Sequence, residues 1–202
     1  MITQIMQMLA DPKLIIPHML GGLRRLMVRK ISKDGKLFYQ YKGELYPGYL
    51  NHGNAQSFIS EKALAYCDGT GIDVGADRWP LAGAIPILNE ATQNAYKLDN
   101  FQDGSLDYIF SSHCLEHLGN WQDALALWIR KLKKGGIIFL YLPHESMKLW
   151  HRGGPWVGGH HKWRPTYKIV IPFLQKHGVE ILEFNPFRDE CWSFHIVGKK
   201  SA

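Results

Sequence analysis

No apolar run in this sequence approaches the roughly 18 residues that a membrane-spanning helix needs, so stable insertion into a bilayer is not expected. Cysteine is scarce: Cys67, Cys114 and Cys191 are far apart and odd in number. That excludes the paired framework of small secreted domains and reads as free thiols. Met1–Ala10 lacks the basic region, long apolar stretch and cleavage site of a secretory signal, which makes the cytoplasm the expected compartment. The metal signatures Cys-x-x-Cys and His-Glu-x-x-His are missing, and no bound metal is expected. The glycine fingerprint of nicotinamide-dinucleotide sites, Gly-x-Gly-x-x-Gly, is missing as well, which disfavours an oxidoreductase of that class. There is no internal repeat and no low-complexity segment.

What is present is the balance of a soluble globular protein, 46% hydrophobic and 21% charged, over 202 residues. That length suits one domain with a short appendage. The formal charge of +6 raises the question of nucleic acid. The basic residues read as scattered, with Arg24, Arg25, Arg29 and Lys30 early and Lys131, Lys133 and Lys134 mid-chain. The second group falls in the last turn of a predicted helix, where cations meet the negative end of the helix dipole. No docking motif accompanies the charge, so a nucleic-acid partner is not expected.

Residues 1–55 are expected to form an N-terminal appendage or lid, and 56–202 the main domain. Pro17 and the pair Gly21–Gly22 should interrupt any long helix. Leu20, Leu23, Leu26 and Met27 nevertheless recur at helical spacing with Arg24 and Arg25 opposite, which predicts a short helix. It either packs on the main domain or offers a basic, apolar surface for peripheral contact with a membrane or lipid-linked substrate. Phe38–Tyr49 reads as a short hairpin or irregular loop. Further on, a helix from about Gln56 to Tyr66 precedes apolar runs at Thr70–Val74, Ala84–Leu88 and Asp107–Ser112. Trp121–Lys134 is the clearest helix, capped by Asn120 and ended by Gly135–Gly136. Ile137–Leu142 follows as a continuous apolar run, the mark of a parallel strand covered on both faces. Another helix over Tyr167–His177, kinked at Pro172, and strands at Val179–Asn185 and Glu190–Val197 close the chain. The strand–helix–strand order predicts an α/β fold with a mostly parallel sheet.

Ligands bind such sheets beyond the carboxyl ends of the strands. The loop after the first strand reads Gly71-Ile72-Asp73-Val74-Gly75-Ala76-Asp77; the third run reads Asp107-Tyr108-Ile109-Phe110-Ser111-Ser112-His113-Cys114-Leu115-Glu116-His117. With the turn Leu132-Lys133-Lys134-Gly135-Gly136 and the run to Pro143, the stretch from about Gly69 to Gly198 resembles the class I S-adenosylmethionine-dependent methyltransferases, most of all a small bacterial branch. The resemblance implies a doubly wound, Rossmann-like, mostly parallel sheet with an antiparallel C-terminal strand, beside the short helical or hairpin appendage. It implies S-adenosyl-L-methionine as cofactor. Asp73 and Gly75, with Ala76 and Asp77, match the cofactor loop beside the methionine part. Asn89 or Glu90 falls at the ribose-binding position, where an acceptor takes both vicinal hydroxyls. Asn94-Ala95 aligns with the adenine site, with Asp99 as an alternative. Ser111, Ser112 and His113 match the loop flanking the methionine part and the transferable methyl. Two departures stand out: the usual Gly-x-Gly is Gly75-Ala76-Asp77, and the stretch from Gly75 to Asn94 leaves little room for a helix.

His113 and His117 stand four apart, a metal-ligand spacing, but without a supporting signature they read better as packing and acceptor-site residues. An oxygen acceptor needs a base, and His113 and His161 are the candidates, since histidine titrates near neutrality. Trp150, Trp156 and Trp163 lie in an aperiodic Gly- and Pro-rich stretch suited to a lid over a flat or sugar-like acceptor. The expected function is therefore methyl transfer to oxygen or nitrogen of a small-molecule or saccharide-type acceptor. Its rivals are a non-catalytic module of the same fold and a nicotinamide-dependent oxidoreductase.

Overall fold

The computed structural model describes residues 15–91 and 93–201, and the chain divides into two compact units. One comprises Met1–Gly53 and Glu145–Arg164, the other Asn54–His144 and Pro165–Ala202. The chain passes between the units at 53/54, returns to the first at 144/145 and leaves it again at 164/165.

In the first unit, helix α1 (Ile15–Arg25) runs through Pro17 and both glycines without a break. Pro17 sits in the first turn, where a missing N–H costs no bond. Gly21 has a packing reason: a Cβ there would lie 2.7 Å from the Cα of Gly158 and 2.9 Å from the carbonyl oxygen of Gly154. A three-stranded antiparallel sheet follows, β1 (Arg29–Lys33), β2 (Lys36–Tyr41) and β3 (Glu44–Pro47). The Phe38–Tyr49 hairpin is its β2–β3 half; β1, which is mostly charged, gives no strand signal in the sequence.

The second unit carries a six-stranded sheet in the order β5-β4-β6-β7-β9-β8. Its strands are β4 (Gly71–Val74), β5 (Ile85–Ile87), β6 (Leu106–Ser112), β7 (Leu132–Pro143), β8 (Val179–Asn185) and β9 (Ser193–Lys200). Strands β5, β4, β6 and β7 are parallel, and β9 runs antiparallel to both β7 and β8. All four residues of β4 and the last six of β7 are buried, as a strand covered on both faces requires. From β4 the chain steps outward to β5 and then crosses to β6 on the other side. The order therefore reverses between β4 and β6, and the space beyond the carboxyl ends of these two strands is where sheets of this kind bind ligands.

The helices are short: α2 (Ser60–Leu64), α3 (Trp121–Lys131) and α4 (Tyr167–Lys176), the last continuing through Pro172. Helix α3 buries Trp121, Leu125, Trp128 and Ile129 but ends three residues earlier than its sequence suggests. Leu132 is already extended, and residues 133–136 bulge out of β7 between the pairs Leu106–Leu132 and Tyr108–Ile137. Gly135 at φ +79° serves this bulge rather than a helix cap. Lys133 consequently pairs with Asp107 at 2.9 Å, and only Arg130 and Lys131 occupy the last helical turn. Asn120 makes no side-chain cap bond.

Residues 75–84 join the parallel strands β4 and β5 without a helix, although such a link ordinarily takes a dozen residues or more. The fold also sorts the charge that looked scattered. The described residues of the first unit hold eleven lysines and arginines against three acids, a net +8; the second unit holds twelve against fourteen.

Candidate active site

The crevice is built by the loops that follow β4 and β6. Asp73, next to last in β4, is 1% exposed. Its Oδ2 accepts the backbone N–H of Leu81 at 2.8 Å, while its Oδ1 is buried with no hydrogen-bond partner among the described residues. Burial pushes the carboxyl up to about 7, partly offset by the Leu81 bond. The carboxyl therefore does two things. It holds loop 75–84 in place of the missing helix, and it keeps one acceptor unspent.

Gly75 turns the chain at φ +85° and its N–H donates to the Ile87 carbonyl at 3.0 Å. A Cβ on Gly75 would lie 2.5 Å from the Cβ of Cys114 and 2.6 Å from its Sγ. Glycine is thus required by the meeting of the two loops as well as by the turn. Asp77 takes φ +45°, so the left-handed geometry that a second glycine would supply survives on a residue that tolerates it.

Several predicted contacts are used up within the loops. Ser111 is fully buried and its Oγ donates to the Val74 carbonyl at 2.9 Å, tying β6 to the end of β4. Asn94 donates through Nδ2 to the Glu90 carbonyl at 3.0 Å and accepts the Tyr96 N–H at 2.9 Å, so its amide closes a turn. The Ala95 carbonyl accepts the indole N–H of Trp128 at 2.8 Å. Asn89 and Glu90 are both exposed on the loop after β5, and Ser112 is half-buried at the mouth of β6.

His113 is the most constrained of these residues. Its backbone lies at φ +50°, and its N–H donates to the Tyr141 carbonyl at 2.9 Å. Its Nε2 is 2.8 Å from Ser193 Oγ and its Nδ1 is 3.6 Å from Glu116 Oε1. Burial, with the charge of His117, pushes the imidazole down to about 3, and burial pushes Glu116 up to about 8. At neutral pH this pair is largely an uncharged imidazole beside a carboxylic acid, the arrangement a dry site favours. The order Ser193–His113–Glu116 resembles a hydrolytic triad, but Ser193 is fully buried and its Oγ also donates to the Cys191 carbonyl at 3.0 Å. The group is a packed polar network, not an open nucleophile. Asp189 extends it, accepting Tyr141 Oη at 2.5 Å and the Ser193 N–H at 3.0 Å.

The sequence offers His113 as a base; here its ring is held between Ser193 and Glu116, and burial lowers its pKa to about 3. Glu116 went unnoticed in the sequence, although an acid between two histidines in an apolar stretch was the available signal. The three thiols are free and each is pushed up to about 12 by burial, so none is a nucleophile at neutral pH. His161, the other candidate base, is buried in the 145–164 segment of the first unit.

Residues 53–140, which contain both crevice loops, match the family model for the methyltransferase domain. This segment is a class I S-adenosylmethionine-dependent methyltransferase domain. The fold agrees with solved structures at low identity. A methyltransferase of Haloferax volcanii, solved in complex with the Trm112 methyltransferase activator, is 13% identical at a TM-score of 0.56, covering 75% of this chain and 94% of its own. An S-adenosylmethionine-dependent methyltransferase of Thermotoga maritima is 16% identical at 0.53, covering 76% and 92%. One from Mesorhizobium loti is 14% identical at 0.55, covering 74% and 99%. No curated protein sequence matches the chain. Residues 53–140 thus carry the methyltransferase-domain match, in a sheet that is mostly parallel with β9 running against its neighbours. Among the described residues no helix is long and apolar enough to cross a membrane.

The methyltransferase crevice suits its cofactor on one specific ground. The unspent Oδ1 of Asp73 is a buried acceptor with no donor among the described residues, as a cationic amino-acid group would require.

Proposed function

We propose that the enzyme methylates an oxygen or nitrogen of a small-molecule or saccharide-type acceptor. The observation that carries this reading is an aromatic cluster in the first unit. Trp156 stands edge-on to Tyr39 at 5.0 Å between ring centroids, and Trp150 lies 6.5 Å from Trp156. Half-buried indoles of this kind stack on the apolar faces of sugars and exclude water.

S-adenosylmethionine supplies a sulfonium methyl with a good leaving group. The chain's own work is then binding and alignment, which at best lowers a barrier by about 7–11 kcal/mol. In this reading Asp73 orients the loop and accepts from the amino group, while the turn Gly75-Ala76-Asp77 lets backbone approach the methionine part. Glu90, exposed and acidic, takes the ribose hydroxyls, with Asn89 beside it; Ser112 flanks the methyl. Asn94 and Ala95 shape the adenine end through their turn, and Ser111 acts through β4. His113 positions the β6 loop. For a hydroxyl acceptor, proton removal is assigned to His161.

The test is transfer of labelled methyl from the cofactor to a panel of saccharides, small hydroxyl compounds, amines, thiols and activated carbon acceptors. Transfer to at least one of these, with the pH profile shifted in His161→Ala, supports the reading. Transfer only to carbon or sulfur acceptors refutes it.

A further inference from the structure

Helix α1 is packed inside out. At about 100° per residue, Ile16, Met19, Leu20, Leu23, Leu26 and Met27 fall within roughly a third of the circumference, the last two in the turn that follows the helix. All six are exposed, from 39% at Leu20 to 84% at Leu26. The opposite side makes the contacts. Gly21 abuts Gly154 and Gly158, the His18 ring meets His160 edge-on at 5.0 Å, and Arg24 donates to the Gly153 carbonyl at 2.8 Å. An amphipathic helix ordinarily buries its apolar stripe against its own protein. Here the small and polar side is the anchor, and six large apolar side chains face outward.

The surroundings of that stripe are cationic. The first unit carries the net +8 noted above, more than the charge of the whole chain. Where α1 ends, a cleft of about 530 Å³ opens between the helix end and the β2–β3 turn. Leu26 and Met27 line one part of it and Arg29 and Lys42 another. Lys42 is held in that turn at φ +48° with its Nζ 5.6 Å above the Tyr41 ring.

We propose that this face docks the enzyme on an anionic lipid bilayer. The α1 stripe enters the acyl boundary, and Arg29 and Lys42 receive a headgroup phosphate in the adjoining cleft. The stripe has the width and composition of an interfacial helix, whose apolar side sinks about 5–10 Å while basic residues meet the headgroups. A polynucleotide would explain the cations but not the aliphatic stripe, since single strands are gripped by stacking on aromatic rings. The proposal is independent of the acceptor reading.

The test uses the whole protein in flotation with vesicles of phosphatidylcholine alone and of equal parts phosphatidylcholine and phosphatidylglycerol. Binding should be confined to the anionic vesicles and fall with salt. Leu23→Glu, a change at an exposed position, should weaken it tenfold or more, and Arg29→Ala or Lys42→Ala about fivefold each. Calorimetry with S-adenosylmethionine should give unchanged affinity in all three variants, which shows that they fold and keeps this outcome separate from the assignment of the active site. Several results overturn the proposal. These are absent flotation of cofactor-competent protein, flotation indifferent to Leu23→Glu, and a dimer that Leu23→Glu converts to monomer, which would make the stripe a self-interface. Retention on single-stranded polynucleotide without vesicle binding overturns it in favour of nucleic acid.

Discussion

Replacing Asp73 by Asn separates the two tasks of this carboxyl. In the folded enzyme without cofactor, burial holds the group near 7 against an ordinary value of 3.8. A raised carboxyl pKa means that the folded state binds the proton more tightly than the unfolded chain. The stabilisation is complete below about pH 4 and is lost as pH rises through 7. Three units correspond to about 4 kcal/mol at 1.36 kcal/mol each, an upper figure because the neighbouring loop can admit water. The Asn side chain imitates the protonated acid and still accepts from Leu81. Urea unfolding of both proteins from pH 4 to pH 8 should therefore give a difference near zero at the acid end. It should grow to as much as about 4 kcal/mol in favour of the variant at pH 8. Cofactor affinity should move the other way. Losing a charge-assisted bond of about 1.5–3 kcal/mol weakens S-adenosylmethionine binding roughly tenfold to a hundredfold. A stability difference that stays flat across this range would refute the reasoning, whatever happened to binding.

Gly75→Ala should destabilise the protein by about 1–3 kcal/mol and abolish measurable cofactor binding, because its Cβ meets Cys114 and the turn needs φ +85°; calorimetry and thermal melts check both. Ser111→Ala should cost about 1–3 kcal/mol of stability by orphaning the Val74 carbonyl, with less than a tenfold change in cofactor affinity. His113→Ala should lower kcat without moving any limb of the pH–rate profile, since a ring near 3 does not titrate between pH 5 and 9. Disappearance of a limb near 6.5 would return His113 to the role of base. Wild-type cofactor affinity should rise with pH up to about 7, as ionised Asp73 is the form that attracts a cationic amino group. An affinity independent of pH over that range would count against the contact.

The sheet was readable because its central strands are continuous apolar runs, and the turn after β4 because Gly75 follows a strand end. The details that failed share a physical cause. Gly135–Gly136 after a helical pattern looks like a helix stop, yet a β-bulge asks for the same residue. The backbone bonds that Asn94 and Ser111 make were equally hidden, since Ser111's partner is 37 positions away. The proximity of Ser193 to His113 joins residues 80 positions apart, and no spacing announces it. Charge segregation stayed hidden because residues 145–164 rejoin the N-terminal segment only in three dimensions.

That return of the chain has a consequence for synthesis. Helix α1 leaves the ribosome with the whole of 54–144 still to be made before Gly154 and Gly158 arrive to receive Gly21. At about 5–20 residues per second the roughly 130 residues between the end of the helix and Gly158 take about 7–27 seconds. During that interval both sides of the helix are bare, and a nascent-chain chaperone or a nearby bilayer has the first opportunity to hold it.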